Sequence, residues 1–364
     1  MQILLFFFLS SSLFASYSKP QLIARYGGND SYNSIDGLNC YSSEPAMTKD
    51  GIFLGCHLDQ NFSLVRWKDK FEIISSTTDF FSKPEVFQEM VAWSEFNEIG
   101  VKKVFEFYQD HLIEKKLNNL SPDFAIPHTF TSMGQGNYVY RLDGEKKQFY
   151  LWNGKREEIN LNAPAHFFPP ISSSSGNVVL KIRRDHSGES APDELWRISA
   201  KKNELILQDK DSNLNSKFKS FRHSLAHEGG VIAVIGIDEF GEGLFLIEDE
   251  KIIEVVRVGR EIKSLDYFSP KLRHKILVFR GEDLKGRKAF WTFENRKLNR
   301  LVTQSDVVLT DKGLARVDGP SQDAVFYGAA GIGPDGEIVL QAVLKDFDHD
   351  PTVLGISLLK FTRE

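Results

Sequence analysis

One pattern of strands recurs seven times along the chain, and this repetition constrains the fold more than any other feature. Each unit contains an apolar strand, a polar turn, an aromatic-rich strand, a tight turn and a third strand, and a further strand precedes it. Four short strands repeated every roughly 40 to 60 residues are typical of the blades of a β-propeller. The first strand of each unit is centred on Ile52, Val91, Val139, Val179, Ile232, Ile276 and Ile338.

The tight turns fix the register of these units. Segments 64–74, 105–113 and 149–155 align with one another, and the last contains the turn Asn153-Gly154. Asn-Gly is a strong hairpin signal because both residues adopt positive φ at low cost. The sequence therefore predicts consecutive antiparallel hairpins and almost no helix.

The two ends of the chain predict how the ring closes. The last unit ends with the strand 356–361, and no outer strand follows it. Segment 22–27 resembles the outer strand 253–259 but lies before the first unit. We therefore predict an all-β fold, a single seven-bladed β-propeller of four-stranded antiparallel blades, in which the N-terminal strand completes the last blade. Segment 305–318 is an additional hairpin-like stretch that this pattern does not assign.

Short motifs at the blade starts carry a resemblance to a known family. Pro334-Asp335-Gly336-Glu337 precedes an apolar strand, and so does Lys49-Asp50-Gly51. Both resemble the blade starts of WD40-like bacterial envelope β-propeller repeat proteins. The resemblance covers the repeats of nearly the whole chain and concerns the fold. Since such envelope propellers usually bind a partner protein or a ligand, the resemblance implies a binding role for this protein. Fold alone does not determine function.

The N-terminus has the pattern of a signal peptide. Residues 3–9 are almost wholly apolar, and small residues follow at the places where a peptidase would cut, after Ala15 or after Ser18. We predict a signal peptide over residues 1–18 and a propeller domain over 19–364. The apolar run is too short to span a bilayer and no second one follows. A periplasmic or secreted protein without membrane insertion is therefore expected.

Two cysteines are present, Cys40 and Cys56. In an exported protein, an even pair is a candidate disulfide. Closing a loop of this size would stabilise the fold by about 3 kcal/mol in the chain-entropy model. The alternative is a pair of small buried side chains in neighbouring strands.

Composition restricts the classes of partner. Hydrophobic residues make up 41% of the 364 residues, which is enough for a packed core, and the net charge is −5. This charge does not match the basic surface of a nucleic-acid binder. No phosphate-binding glycine loop, serine nucleophile motif or Cys/His cluster is present, so no cofactor and no metal site are predicted. A monomer with an unknown protein or glycan partner is expected.

A propeller brings the loops that enter its inner strands to one mouth of the central channel. The residues at these entries are candidate ligand-binding residues, and carboxylates predominate among them. Such a ring would suit a cation, an amine or sugar hydroxyls. The alternative is that these side chains cap turns and face solvent. The candidates are Asp36, Glu85, Asp123, His166, Arg222, Asp266 and Asp323.

Two functions follow from these patterns. The first is a non-catalytic binding scaffold that engages a protein or a cell-wall carbohydrate through the loop face. The alternative is a carbohydrate-active hydrolase, with Asp123, Asp266 and Asp323 as candidate acids and His166 or Arg222 orienting the substrate. The sequence contains no catalytic signature, which favours the scaffold. A scaffold predicts exposed aromatic side chains on an open face, whereas a hydrolase requires a buried carboxyl group of perturbed pKa beside a deep concavity.

Overall fold

The computed structural model folds the chain into seven antiparallel sheets arranged as the blades of a β-propeller. The described part of the chain contains no helix. The structure describes residues 16–27, 31–40, 44–97, 101–116, 131–134, 136–143, 147–153, 155–161, 165–168, 171–173, 175–184, 192–199, 202–211, 213–248, 251–319, 325–346 and 353–364.

The strands of the first four blades follow one another outward from the axis. Strand β1 (Gln21–Tyr26) precedes them. Blade 1 contains β2 (Ala46–Thr48), β3 (Gly51–Leu58), β4 (Asn61–Trp67) and β5 (Phe71–Thr77). Blade 2 contains β6 (Phe80–Phe81), β7 (Glu85–Phe87), β8 (Met90–Phe96), β9 (Val101–Tyr108) and β10 (His111–Lys116). Blade 3 contains β11 (Thr131–Gly134), β12 (Asn137–Asp143), β13 (Lys147–Trp152) and β14 (Arg156–Glu158). Blade 4 contains β15 (Ala165–Phe167), β16 (Ile171–Ser172), β17 (Val178–Arg184), β18 (Asp193–Ile198) and β19 (Asn203–Gln208).

The last three blades repeat this arrangement, and the seventh includes an additional hairpin. Blade 5 contains β20 (Ser220–Glu228), β21 (Val231–Asp238), β22 (Gly241–Glu248) and β23 (Lys251–Arg257). Blade 6 contains β24 (Ser264–Leu265), β25 (Lys271–Arg273), β26 (Ile276–Glu282), β27 (Lys288–Glu294) and β28 (Lys297–Thr303). The seventh sheet contains β29 (Val307–Thr310), β30 (Gly313–Val317), β31 (Phe326–Ile332), β32 (Ile338–Asp346) and β33 (Val353–Phe361), together with β1.

Burial along the strands shows why the sequence patterns differ between them. The second strands of the blades, such as β26 and β32, are buried along nearly their whole length. Both faces of these strands pack against neighbouring blades, so continuous apolar runs are required there. The outermost strands β19 and β28 alternate between exposed and partly buried positions, because only one of their faces is covered. The hydrophobic core therefore lies between the blades.

The innermost strand is divided in three of the blades. In blades 2, 4 and 6, two short strands pair with the same second strand, at opposite ends of it. The chain thus pairs first with one end of the second strand, leaves the sheet, and then pairs with the other end of the same strand. These sheets therefore contain five strands, and the seventh contains six.

The first strand lies beside the last. Strand β1 pairs antiparallel with β33, from Gln21 opposite Lys360 to Tyr26 opposite Ile356, with a shift of register between Leu22 and Ala24. Ile23, Ala24 and Tyr26 are buried in a cluster that also contains core residues of blades 1 and 7. The Tyr26 hydroxyl contacts the buried amide oxygen of Gln341 on β32. Both ends of the chain thus belong to one sheet.

The stretch 305–318 that the repeat does not assign forms the hairpin β29–β30. Its second strand pairs with the end of β32, and Val308, Ala315 and Val317 are buried in the core of blade 7. The hairpin turn reaches β1, where the Asp311 carboxylate lies 2.7 Å from the Arg25 guanidinium. Because Arg25 is almost wholly buried, this ion pair attaches the insertion to the closing strand.

A disulfide joins Cys40 to Cys56, with 4.1 Å between their Cα atoms. It links the segment that follows β1 to strand β3 of blade 1. The cross-link closes a loop of sequence separation 16, which the chain-entropy model values at about 3 kcal/mol. The segment that leads from the closing strand into blade 1 is therefore covalently attached to that blade.

Removal of residues 19–27 should cost far more stability than so short a segment suggests. The deletion exposes core residues of blades 1 and 7 and leaves β33 as an open edge. We expect a loss of about 5 kcal/mol or more, measured by urea unfolding.

If the deletion variant does not fold, a synthetic peptide of residues 19–27 is added to it. The peptide should restore cooperative unfolding. As a matched pair in the full chain, Ala24→Asp should destabilise strongly and Gln21→Asp, at an exposed position, should not. Equal effects of these two substitutions would contradict the role of β1 in closure.

Candidate functional site

The strand directions define two faces of the propeller. The inner strands β2, β7, β11, β16, β20, β25 and β31 line the axis, and the loops that enter them lie on the same face as the turns between the second and third strands of each blade. We call this the loop face. The turns between the first and second strands, and between the third and fourth, lie on the opposite face.

The central channel is lined by small and apolar residues together with several charged ones. It holds about 130 Å³ of space open to the centres of water molecules. The described residues that line the channel include no Phe, so no Phe side chain among them plugs it. Ala, Gly, Ile and Leu residues of the inner strands form much of the wall. Three prolines that flank the inner strands of blades 1, 2 and 6 also line it, namely Pro45, Pro84 and Pro270.

A carboxylate bridges two blades at the loop-face mouth of this channel. Glu44 precedes β2 and lies 3.3 Å from the Lys83 ammonium of blade 2 and 2.7 Å from the Lys271 ammonium of blade 6. Burial raises the pKa of the Glu44 carboxyl, but attraction to the two lysines and their hydrogen bonds outweigh it and hold the pKa well below its usual range. The mouth is therefore crossed by an ionised, cation-paired carboxylate.

An arginine closes the other end of the channel. The Arg273 guanidinium donates to the backbone carbonyls of Met47 and Ile332 at 2.6 and 2.9 Å, and it lies 3.0 Å from the Glu89 carboxylate. Burial lowers the pKa of Arg273, while the charge of Glu89 raises it. One side chain of blade 6 thus joins blades 1, 2 and 7 across the axis.

His227 also borders the channel but contributes no charge to it. Its Nε2 lies 2.9 Å from the Ile171 carbonyl oxygen, to which it must donate. Burial of the ring lowers the pKa of His227 to about 4. The imidazole is therefore neutral near pH 7, and it acts as a link between blades 4 and 5.

The seven predicted site residues do not form one ring around the channel mouth in the described part of the chain. Glu85 lines the channel and accepts a hydrogen bond from Thr131 at 2.6 Å. Asp36 is exposed and accepts a hydrogen bond from Ser31 at 2.9 Å, away from the channel wall. His166 lies on β15, but the structure does not describe its side chain. Asp123 and Asp323 lie outside the described residues.

The remaining two, Arg222 and Asp266, lie together in a separate recess between blades 5 and 6. Arg222 extends from β20 and pairs with Glu242 at 2.5 Å. Asp266 pairs with Arg280 at 3.0 Å. We call this the 5–6 recess; its lining consists of Arg222, Glu242, Ser264, Leu265, Asp266, Tyr267, Gly281 and Lys288.

Rigid turns surround the 5–6 recess on the loop face. In blade 5, both carboxylate oxygens of Asp238 accept hydrogen bonds from Arg257, at 2.6 and 3.0 Å, and one also accepts from the Phe240 amide. The hydrogen bonds from Arg257 hold the pKa of Asp238 below its usual range, against the effect of burial. In blade 6, Asp283 binds its own turn through Arg287 in the same way.

These turns and the neighbouring loops expose large apolar side chains. Phe240 is 75% exposed and Tyr267 is 79% exposed. Single exposed apolar residues are ordinary, but several on adjacent loops indicate an interaction surface. We call this set the blade 5–6 surface; it comprises Leu214, Phe240, Tyr267, Phe268 and Leu284.

Sequence reasoning missed the residues that cross the channel, although a signal for them exists. Glu44 and Lys83 each directly precede a proline, and Lys271 directly follows one. Aligning these prolines would have placed Glu44 and Lys83 at equivalent positions of blades 1 and 2, with Lys271 two residues further along the aligned segment of blade 6. No such signal marks Glu242, because its ion pair with Arg222 joins two strands, β20 and β22, that are not neighbours in the sheet.

The described residues contain no grouping of three or more His, Cys, Asp or Glu side chains that could hold a metal ion. In the same part of the chain, no helix is long and apolar enough to cross a membrane.

Comparisons with known proteins relate the chain to other propellers by fold. No protein-family model matches the sequence, and no curated protein is significantly similar to it. A prolyl endopeptidase aligns with 87% of this chain and 46% of its own length, at 12% identity and a TM-score of 0.55. A puromycin-hydrolysing peptidase of Mycobacterium tuberculosis aligns with 86% of this chain and 53% of its own, at 8% identity and a TM-score of 0.51.

The chain therefore spans about half the length of these two peptidases. The β-propeller domain of the trilobed protease from Pyrococcus furiosus aligns with 86% of this chain and 97% of that domain, at 12% identity and a TM-score of 0.49. At these identities, the likeness to the two peptidases shows a shared fold alone.

Glu44→Gln should destabilise the propeller in a pH-dependent manner. Removing the charge between Lys83 and Lys271 should cost about 1–2 kcal/mol at pH 7, less than for a fully buried pair because both lysines are partly exposed. The pKa of Glu44 is lowered in the folded state, so its contribution is complete above the unfolded-state pKa near 4.3 and is lost as pH falls further.

Urea unfolding at pH 7, 5 and 3 measures this difference. The gap between the native protein and the variant should be largest at pH 7 and narrow below about pH 5. Glu114→Gln, which removes an exposed carboxylate 3.4 Å from Lys103, should change stability by about 0.5 kcal/mol or less at each pH. A gap that is constant with pH would contradict the charge assignment of Glu44.

Proposed function

We propose that the protein is an exported, non-catalytic binding scaffold that engages a protein or a cell-envelope carbohydrate through its loop face. The observation that carries this proposal is the blade 5–6 surface. Leu214, Phe240, Tyr267, Phe268 and Leu284 are exposed on adjacent loops of one face. Aromatic side chains that combine large contact area with low flexibility are typical of binding surfaces.

The rigidity of these loops supports the same proposal. Asp238 and Asp283 use buried carboxylates to hold the turns that display Phe240 and Leu284. Ordering a loop before its ligand arrives reduces the entropy that binding must lose. Solubility alone would favour polar residues at these turns instead.

The electrostatics of the described residues favour binding over hydrolysis. A general acid for glycoside hydrolysis requires a carboxyl group with a raised pKa. Where the described carboxyl groups have a pKa that departs from its usual value, the pKa is lowered, as in Glu44, Asp238 and Asp283. Asp266, one of the three acids considered for a hydrolase, forms an ion pair with Arg280.

The contacts of residues 16–18 bear on where a signal peptide would be cleaved, and they favour cleavage after Ala15. Ser18 exchanges hydrogen bonds with Thr362 at 2.9 and 3.0 Å, and the Glu364 amide donates to the Ser16 carbonyl at 2.8 Å. Tyr17 packs against the core of blade 7, and burial raises the pKa of its hydroxyl to about 12. Cleavage after Ser18 would remove these contacts.

We therefore expect the mature chain to begin at Ser16. N-terminal mass spectrometry of the secreted or periplasmic protein measures this directly. A start at Lys19 would show that residues 16–18 are dispensable, and an uncleaved start at Met1 would contradict export through a cleaved signal.

Photo-crosslinking from defined positions tests the loop face. A photoreactive phenylalanine analogue replaces Phe240 or Leu284 on the loop face, or Tyr108 on the opposite face as a control. Tyr108 is also exposed, at 43%, and lies at the turn between β9 and β10. The purified mature protein is irradiated with isolated envelope fractions, and adducts are identified by mass spectrometry.

Adducts from positions 240 and 284, but not from 108, are expected. The same adducts from all three positions would indicate adsorption without a defined surface. No adduct from either loop-face position would overturn the proposed function.

A further inference from the structure

We propose that the 5–6 recess binds a neutral sugar ring, stacked on Tyr267 and hydrogen-bonded by the Arg222–Glu242 pair. The inference rests on the proposed function of the loop face and names the class of ligand at one place in it. Three independent features of the recess support it: the presentation of an aromatic ring, a preformed pair of donor and acceptor groups, and a balanced charge.

The ring of Tyr267 is exposed although its backbone is fixed. The Tyr267 amide donates to the Asp266 carboxylate at 2.7 Å, and its carbonyl accepts from the buried hydroxyl of Ser224 at 2.6 Å. These bonds join the loop entering blade 6 to β20 of blade 5. The side chain nevertheless leaves 79% of the residue's surface exposed. The Arg222 guanidinium lies over one face of the ring, and the surface that stays exposed offers a stacking platform for an apolar ligand face.

Donors and acceptors lie beside this platform. The Arg222 guanidinium lies 5.2 Å from the centre of the Tyr267 ring and 2.5 Å from the Glu242 carboxylate. Guanidinium offers five N–H donors and the carboxylate offers acceptor oxygens, so neither is saturated by their mutual contact. Each hydroxyl group of a sugar both donates and accepts hydrogen bonds. Arg222 can donate to one hydroxyl while Glu242 accepts from its neighbour.

The charges of the recess favour a neutral ligand. Its lining contains two cationic side chains, Arg222 and Lys288, and two anionic ones, Glu242 and Asp266. Each has a partner of opposite sign: Lys288 lies 2.8 Å from Glu282, and Asp266 lies 3.0 Å from Arg280. A charged ligand would have to displace one of these partners, whereas a polyhydroxylated ring would add hydrogen bonds to the existing pairs.

The recess has room for a ring. It holds about 230 Å³ of space open to the centres of water molecules, and a single water requires only about 10–15 Å³ by this measure. Gly281 lies in the wall, where a Cβ atom would come within 2.5 Å of the Ser264 carbonyl oxygen. The close approach of β24 and β26 therefore requires glycine at this position.

Titration with a panel of neutral hexoses, 6-deoxyhexoses and N-acetylhexosamines, followed by NMR saturation transfer and calorimetry, tests the inference. At least one sugar should bind the mature protein. Tyr267→Ala should weaken binding about tenfold or more, which corresponds to about 1.4 kcal/mol. Tyr267→Phe, which keeps the ring, should bind within about threefold of the native protein. Arg222→Lys, which loses the planar fork of donors, should also weaken binding about tenfold.

Controls separate this inference from folding defects and from the proposed function. Each variant must have the same Tm as the native protein. Tyr108→Ala, on the opposite face, should bind sugar as the native protein does. No binding of any sugar in the panel, or binding unaffected by Tyr267→Ala, would overturn the sugar site. If crosslinks from Phe240 and Leu284 persisted in that case, the loop-face function would stand and only the ligand class would fall.

Discussion

The pairing of the first strand with the last is the interaction on which the rest of this propeller depends. Each blade buries its faces against its neighbours, so a gap between blades 7 and 1 would expose two apolar faces at once. Strand β1 fills that gap with Ile23, Ala24 and Tyr26, and the Arg25–Asp311 pair attaches the inserted hairpin to it. The disulfide then fixes the following segment to blade 1. Convergence of the inner strands on one axis follows from this closure.

Once the ring is closed, the axis becomes a place where distant blades can be joined by single side chains. Glu44 links blades 1, 2 and 6 at one end, and Arg273 links blades 6, 1, 2 and 7 at the other. Buried ion pairs contribute little net free energy, because desolvation offsets the attraction. We interpret them as fixing the positions of the blades relative to one another. The charged side chains at both ends of the channel already pair with one another, which moves the search for a site to the loop face.

The sequence predicts the fold well because the repeat encodes local strand patterns and local turns. The outer-strand pattern of residues 22–27 even indicates closure. The sequence does not show how far each loop-entry position lies from the axis. Glu85 lies on an inner strand and lines the channel, whereas Asp266 lies in the break between β24 and β25 of blade 6 and lines the 5–6 recess. The segment between β24 and β25 contains five residues, whereas the segment between β6 and β7 contains three, and the repeat pattern does not specify these lengths.

The uneven distribution of polarity on the loop face is the strongest physical reason to place function there. In blade 1, the corresponding turn carries Asp59, Gln60 and Asn61, as solubility favours. In blades 5 and 6, the turns display Phe240 and Leu284 above buried aspartates. Desolvating those aspartates costs free energy that a flexible polar turn would not require. Since closure of the ring does not depend on the tips of these turns, their hydrogen-bonded aspartates and their apolar surface support the proposal of a binding site between blades 5 and 6.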